Sequence, residues 1–77
     1  MTYDEFCNLV KEELSAYLES FDLTDEDIAE YMKRNDDLLF ARYDKEMSLI
    51  EQGRRTLDEV KFSAVDDVAS TLSDMFE

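Results

Sequence analysis

The scarcity of chain-breaking residues is the feature that most restricts how this sequence can fold. The 77 residues contain no proline and a single glycine, Gly53. Hairpins and sheets depend on these two residue types for their turns, whereas the residues that dominate here are good helix formers. We therefore predict an all-α fold and, at this length, a single acidic helical domain over residues 1–77.

Three segments carry a threonine followed three residues later by an acidic residue, which is the pattern of a capping box at a helix start. The threonines are Thr2, Thr24 and Thr56. Apolar residues follow each of them at three- and four-residue spacings, as on a helix with one buried side. The prediction is a compact three- or four-helix bundle, with helices at about 3–20, 25–34, 37–52 and 57–76. Because KRNDD, residues 33–37, contains neither glycine nor proline, the second and third helices could instead form one bent helix.

The apolar spacing also predicts which side of each helix is buried. The predicted inward residues of helices 1 to 3 are Tyr3, Phe6, Val10, Leu14, Tyr17, Leu18 and Phe21, then Ile28, Tyr31 and Met32, then Leu39, Phe40, Tyr43, Met47 and Ile50. Helix 4 has two adjacent stripes, Leu57, Val60, Ala64, Val68 and Met75 in one and Phe62, Val65, Ala69, Leu72 and Phe76 in the other. So wide an apolar surface predicts that helix 4 is central to the bundle or contacts a partner as well as the core.

The formal net charge of -13, from 21 acidic and 8 basic residues, is concentrated at the two ends of the chain. Residues 1–30 contain ten acids and one base, residues 31–61 seven of each, and residues 62–77 four acids and no base. A surface this negative repels nucleic acid and anionic membranes, so we expect direct binding to neither. LTDEDIAEYM resembles the first helix of a helix-turn-helix, but the next helix offers too few basic residues to recognise DNA.

The densest acidic segment, DLTDEDIAEYM at residues 22–32, is best explained as a helix start. Asp25, Glu26 and Asp27 fall in the first turn, where free backbone N–H groups favour negative charge. An EF-hand loop counted from Asp22 would need glycine and glutamate where Asp27 and Lys33 stand. Zinc lacks ligands, because the chain has no histidine and one cysteine. We expect neither a metal nor a cofactor.

The sequence offers no catalytic pattern. It has no histidine, no Gly-rich phosphate loop and no nucleophile elbow, and adjacent carboxylates such as Glu12 and Glu13 point about 100° apart on a helix. We therefore expect a protein that is not an enzyme. Cys7 lies among apolar residues and has no partner for an internal disulfide, and the first residues lack a signal-peptide pattern. A cytoplasmic location is expected.

The candidate binding residues are the acids of helix 1 and of the helix 2 start: Glu5, Glu12, Glu19, Asp22, Asp25, Glu26, Asp27 and Glu30. The first three are spaced by seven residues and so fall nearly in line on one side of a helix. In size, charge and predicted helicity, the chain resembles the small acidic proteins of phages and mobile elements, including anti-CRISPR inhibitors that mimic DNA. The resemblance implies an inhibitor whose carboxylates occupy the basic surface of a DNA- or RNA-binding partner.

Two other interpretations are compatible with the same residues. The acids can serve solubility alone, as on many small acidic proteins. The wide apolar surface of helix 4 can instead support a structural or assembly role, through a homodimer or through docking on a larger complex. Salt separates the charge-driven inhibitor from the assembly role, because charge pairing weakens at high salt while an apolar interface holds.

Overall fold

Four helices make up nearly all of the computed structural model, which describes residues 1–76. Helix α1 spans Tyr3–Tyr17 and leads into a 3₁₀ turn at Glu19–Phe21, α2 spans Asp25–Arg34, and α3 spans Asp36–Glu51. Helix α4 comprises three consecutive segments, α-helical Leu57–Glu59, π-helical Val60–Ala64 and α-helical Val65–Phe76. No strand occurs within residues 1–76, and the predicted all-α helical bundle is confirmed.

All three predicted capping boxes are present. In each, the N–H of the third helical residue donates to the threonine hydroxyl at 3.2 Å, and the acidic side chain accepts in return from the threonine N–H at 3.1 to 3.3 Å. The pairs are Thr2 with Glu5, Thr24 with Asp27, and Thr56 with Glu59. Each box satisfies backbone donors that would otherwise lack a partner, so neighbouring residues alone determine where these helices begin.

Helices α2 and α3 are separate elements, divided at Asn35. The backbone of Asn35 leaves the helical conformation at φ -108° and ψ 23°, and its side chain makes no capping hydrogen bond. Instead, its Nδ2 donates to the carbonyl of Tyr31 at 2.9 Å, which occupies one of the free carbonyls at the end of α2. The boundary is therefore made by a side chain that closes the preceding helix.

Gly53 ends α3, as its position predicted. Its φ of 72° lies in the left-handed region that glycine tolerates best. The N–H groups of Gly53 and Arg54 donate to the carbonyls of Ile50 and Leu49 at 3.0 and 2.9 Å, which is the hydrogen-bond pattern of a Schellman motif.

The bundle is elongated, measuring 40 by 19 by 19 Å. Helix α4 makes its most extensive contacts with α1 and runs parallel to it, because Tyr17 contacts Asp66 and, further along both segments, Phe21 packs on Phe76. The buried core consists of Phe6, Val10, Leu14, Leu18, Ile28, Met32, Leu39, Val60, Ala64, Val65, Val68, Ala69 and Leu72.

The tyrosine hydroxyls tie separate elements together. Each donates to an acceptor on another part of the chain: Tyr3 to the Asp36 carboxylate, Tyr17 to Asp66 at 2.7 Å, Tyr31 to the Leu72 carbonyl at 2.7 Å, and Tyr43 to the Met1 carbonyl at 2.8 Å. A tyrosine places an apolar ring against the core and a polar hydroxyl at its edge. These four residues therefore link neighbouring elements around the edge of the core.

A π-helical turn in α4 changes which of its residues face the core. The N–H of Val65 donates to the carbonyl of Val60, five residues back. The turn holds one residue more than an α-helical turn, so residues before it are rotated by about 100° relative to those after it. Val60 and Ala64 are fully buried at the turn, while Lys61 lies exposed and Phe62 is 78% exposed.

The two apolar stripes of α4 are consequently one core surface. The first stripe supplies Val60, Ala64 and Val68 to the core, and the second supplies Val65, Ala69 and Leu72. Most of the apolar width predicted for this helix is therefore used inside the bundle. Phe62 belongs to the stripe that was expected to face either the core or a partner, and it lies outside the core because the π-helical turn shifts the period of the helix.

The predicted inward position of Phe40 is wrong. Phe40 is 51% exposed and packs edge-on against Tyr3 at the surface, with 5.2 Å between ring centroids. The residues of α3 that are fully buried are Leu39 and Glu46, which are seven positions apart and so share one side of the helix. Phe40 follows Leu39 and is turned about 100° away from that side.

Candidate partner-binding surface

The eight acids predicted as binding residues all lie on the surface. Three of them have local partners: Glu5 and Asp27 complete capping boxes, and Glu30 pairs with Arg34 at 3.0 Å. The other five make no side-chain hydrogen bond or ion pair to any residue among 1–76: Glu12, Glu19, Asp22, Asp25 and Glu26. Most of this set therefore contributes nothing visible to the packing of the fold.

Four of these acids line two shallow grooves. Glu5 and Glu12 line a groove of about 280 Å³ between α1 and α4, together with Asn8, Leu9 and Lys61. Asp27 and Glu30 line another, of about 260 Å³, between α2 and the end of α4, together with Leu23, Tyr31, Arg34 and Phe76. Two acids of α1 and two of α2 thus border different grooves, a division that the sequence pattern did not reveal.

Ion pairing leaves the α1 acids uncompensated. Within residues 1–76, the carboxylates that pair with a base are Glu30, Glu46 and Asp67. Two of the seven bases in residues 31–61 form ion pairs inside the bundle or at its edge. Arg42 pairs with Glu46 and Asp67, and Arg55 pairs with Glu46. The negative charge of α1 is consequently left for solvent or for a partner.

The interior contains a charged network that sequence reasoning missed. Glu46 is 1% exposed, and its Oε1 accepts from Arg42 Nε at 2.9 Å and from Arg55 Nη1 at 3.1 Å. Arg55 Nη1 also lies 3.0 Å from Oε2 of Glu46, without the geometry of a hydrogen bond. Arg42 in turn donates to Asp67 at 2.7 Å. The network therefore joins α3, the α3–α4 loop and α4.

Only part of this network could have been anticipated. Arg42 and Glu46 are four residues apart on a helix, a spacing at which opposite charges meet. The spacing alone does not distinguish a buried pair from an exposed one such as Glu30 and Arg34. Arg55 follows the C-terminus of α3 in the sequence, and its pairing with Glu46 becomes visible only when the loop folds back over that residue.

Exposed aromatic rings form a second kind of surface feature. The ring of Phe62 is the most exposed of the large apolar side chains. Tyr17, on the adjacent helix, is 42% exposed, and its hydroxyl donates to Asp66, one turn beyond Phe62. This hydrogen bond raises the pKa of the Tyr17 phenol, and the charges of Asp66 and Glu13 act in the same direction. Phe62 and Tyr17 thus stand among carboxylates.

Other kinds of site find no support in residues 1–76. No group of three or more His, Cys, Asp or Glu side chains there is arranged to hold a metal ion. No helix in this range has both the length and the apolar character needed to cross a bilayer. The groove beside Cys7, about 280 Å³ between α1 and α2, combines one partly buried thiol with ordinary polar and apolar side chains.

Comparison with known protein families, with curated proteins and with solved structures finds no match to this chain.

Proposed function

We propose that this protein is a non-enzymatic interaction module that presents α1, and with it the start of α2, to the basic surface of a partner protein. The observation that carries the proposal is the uncompensated charge of α1. Glu12 on α1 and Glu19 in the 3₁₀ turn that follows it are exposed and have no ion-pair partner within residues 1–76, and Glu5 uses its carboxylate only for the capping box.

A basic partner would relieve a repulsion that folding leaves in place. Glu5 and Glu12 are separated by two helical turns, or about 10 Å along the axis. Like charges so arranged destabilise a small domain through mutual repulsion, and the fold gains no internal contact from Glu12 in return. A groove lined by Lys and Arg side chains would neutralise them and release bound counterions.

The most specific version of the proposal is an inhibitor that mimics a nucleic acid. Carboxylates along α1 would occupy the basic channel of a DNA- or RNA-binding protein, as anti-CRISPR inhibitors of phages and mobile elements do. Binding would then exclude the nucleic acid and weaken steeply with salt. The cytoplasm is the expected setting, since Cys7 is a free thiol.

The assembly role through α4 has less support. Val60, Ala64, Val65, Val68, Ala69 and Leu72 are all buried in the bundle itself. The breadth of the apolar surface, which suggested a homodimer, is thus largely explained by the core.

Two charge-matched variants test the proposal. The first, called the α1 glutamine variant, changes four acids to Gln: Glu5 and Glu12 of α1, Glu19 of the 3₁₀ turn and Glu26 of the α2 start. The control changes four exposed acids elsewhere, Asp37→Asn, Asp44→Asn, Glu51→Gln and Asp74→Asn, and so reaches the same net charge. Glutamine at position 5 can still complete the capping box, so both variants should retain or raise the melting temperature.

Binding is measured against an array of purified DNA- and RNA-binding proteins, with a nucleic-acid duplex as competitor. We expect wild type and the control to bind at least one member in competition with the duplex. Affinity should fall by about tenfold or more between about 50 and 200 mM salt. The α1 glutamine variant should not bind. Equal binding by the two variants, or no binding by wild type, would show that the α1 acids only form a solvated surface.

A further inference from the structure

The exposure of Phe62 is a consequence of the fold rather than of its sequence position. Counting back from Val65 by three residues, or from Ala69 by seven, an uninterrupted α-helix would place Phe62 on the core side. The π-helical turn at Val60–Ala64 rotates the helix start instead, so that Val60 fills the core and Phe62 is 78% exposed. Irregular turns of this type occur mostly as single insertions in helices and are frequent at functional sites.

The surroundings of the Phe62 ring are negative. Asp58 and Asp66 lie within about one helical turn on either side, and both are exposed. Asp66 also accepts a hydrogen bond from the hydroxyl of Tyr17. This contact brings a second half-exposed ring to the same side of the bundle. Lys61, the preceding residue, lines the groove that contains Glu5 and Glu12, so this groove reaches the segment of α4 that carries Phe62.

We infer that Phe62 is the apolar anchor of the partner interface, and that it inserts into an apolar pocket bordered by Lys or Arg side chains on a basic protein. This inference rests on the proposed function and names the residue that gives it specificity. Exposed aromatic side chains that fill a partner's pocket commonly dominate binding, and a polar rim around them excludes water. Here the rim residues Asp58 and Asp66 are carboxylates, which favours a basic border on the other side.

A second copy of this chain is a poorer occupant. Pairing two Phe62 surfaces would bring Asp58 and Asp66 of both copies together in a protein with a net charge of -13. One phenylalanine buries only about 150 to 250 Å², whereas a stable dimer needs about 1,000 Å² or more. Because the neighbouring surface is acidic, the remaining area has to come from a basic partner.

The test uses a phage-displayed library of random peptides, selected on wild-type protein, followed by affinity measurements with synthetic copies of the enriched peptides. We expect enriched peptides to combine Lys or Arg with apolar residues and to bind Phe62→Ala at least about tenfold more weakly than wild type. Met75→Ala is the matched control, since Met75 is 52% exposed on the same helix. It should bind like wild type. Both variants should keep the wild-type circular dichroism and melting temperature, because the side chains are largely in solvent.

The outcomes separate this inference from the proposed function. Peptides that lose affinity for the α1 glutamine variant but not for Phe62→Ala overturn the inference and leave the proposed function standing. Peptides that need Phe62 but carry no basic residues, and are indifferent to the α1 acids, overturn both. An absence of Phe62-dependent peptides also overturns the inference. A wild-type dimer in sedimentation at micromolar concentration that Phe62→Ala dissolves would show that the occupant is a second copy.

Discussion

Replacing Glu46 with glutamine should destabilise this protein more than any exposed charge substitution. Glutamine preserves the shape of the side chain but removes the charge shared by Arg42 and Arg55. Its amide group also turns an N–H donor toward guanidinium groups that can only donate. Arg42 retains Asp67 at 2.7 Å, whereas Arg55 makes no other ion pair within residues 1–76.

The size of the loss in free energy of unfolding follows from the burial of Arg42, Glu46 and Arg55. Removing one partner of a fully buried ion pair costs about 3 to 5 kcal/mol. Glu46 is 1% exposed, but the arginine side chains are 27% and 21% exposed and can recover some hydration. We therefore expect a loss of about 2 to 3 kcal/mol. The free energy of unfolding of a domain of this size is only about 4 to 12 kcal/mol, so the loss should be easily measured.

Urea denaturation followed by far-ultraviolet circular dichroism gives the free energy of unfolding. Glu30→Gln is the control, because it breaks an ion pair of the same i, i+4 spacing whose side chains are 64% and 73% exposed, at a cost of at most about 0.5 kcal/mol. The double variant Glu46→Met with Arg55→Met should recover most of the loss, since it removes both members of the buried pair. A loss for Glu46→Gln no larger than that for Glu30→Gln would show that Glu46 is not a buried charge in solution.

Two further predictions follow from single contacts. Thr24→Ala should lower the free energy of unfolding by about 0.5 to 2 kcal/mol, because it removes the N-cap of α2, while Thr24→Ser should stay near wild type in the same urea assay. Burial raises the pKa of Tyr3 and Tyr31, and at Tyr3 the hydrogen bond to Asp36 adds to the increase. Since the folded state favours the neutral phenol, their stabilisation should be present below about pH 10 and be lost as the pH rises above it. Ultraviolet absorbance should show these phenols ionising only at higher pH or on unfolding, and ionisation at the ordinary pH with the fold intact would contradict the buried geometry.

The helices themselves were determined by the sequence. Three threonine capping boxes and Gly53 act through hydrogen bonds to residues at most five positions away, so their effect does not depend on what packs around them. The predicted limits of α2 coincide with the observed Asp25–Arg34, and those of α3 differ from Asp36–Glu51 by one residue at each end. Helix α1 ends three residues before its predicted limit, where the chain tightens into the 3₁₀ turn.

The surface on which function depends was decided by tertiary packing. All eight acids are exposed, because charged side chains avoid the interior, but the placing of four of them in two grooves depends on where α4 lies. Periodicity assigned Phe40 to the interior, left the stripe of Phe62 open between the core and a partner, and did not assign Glu46 to the interior at all. A regular period can predict one apolar side of a helix, but it cannot predict a π-helical turn or the arrival of Arg55 from another segment. Those outcomes depend on contacts between elements far apart in the chain. Such contacts determine which side of α4 faces the core and supply the arginines that stabilise the buried carboxylate of Glu46.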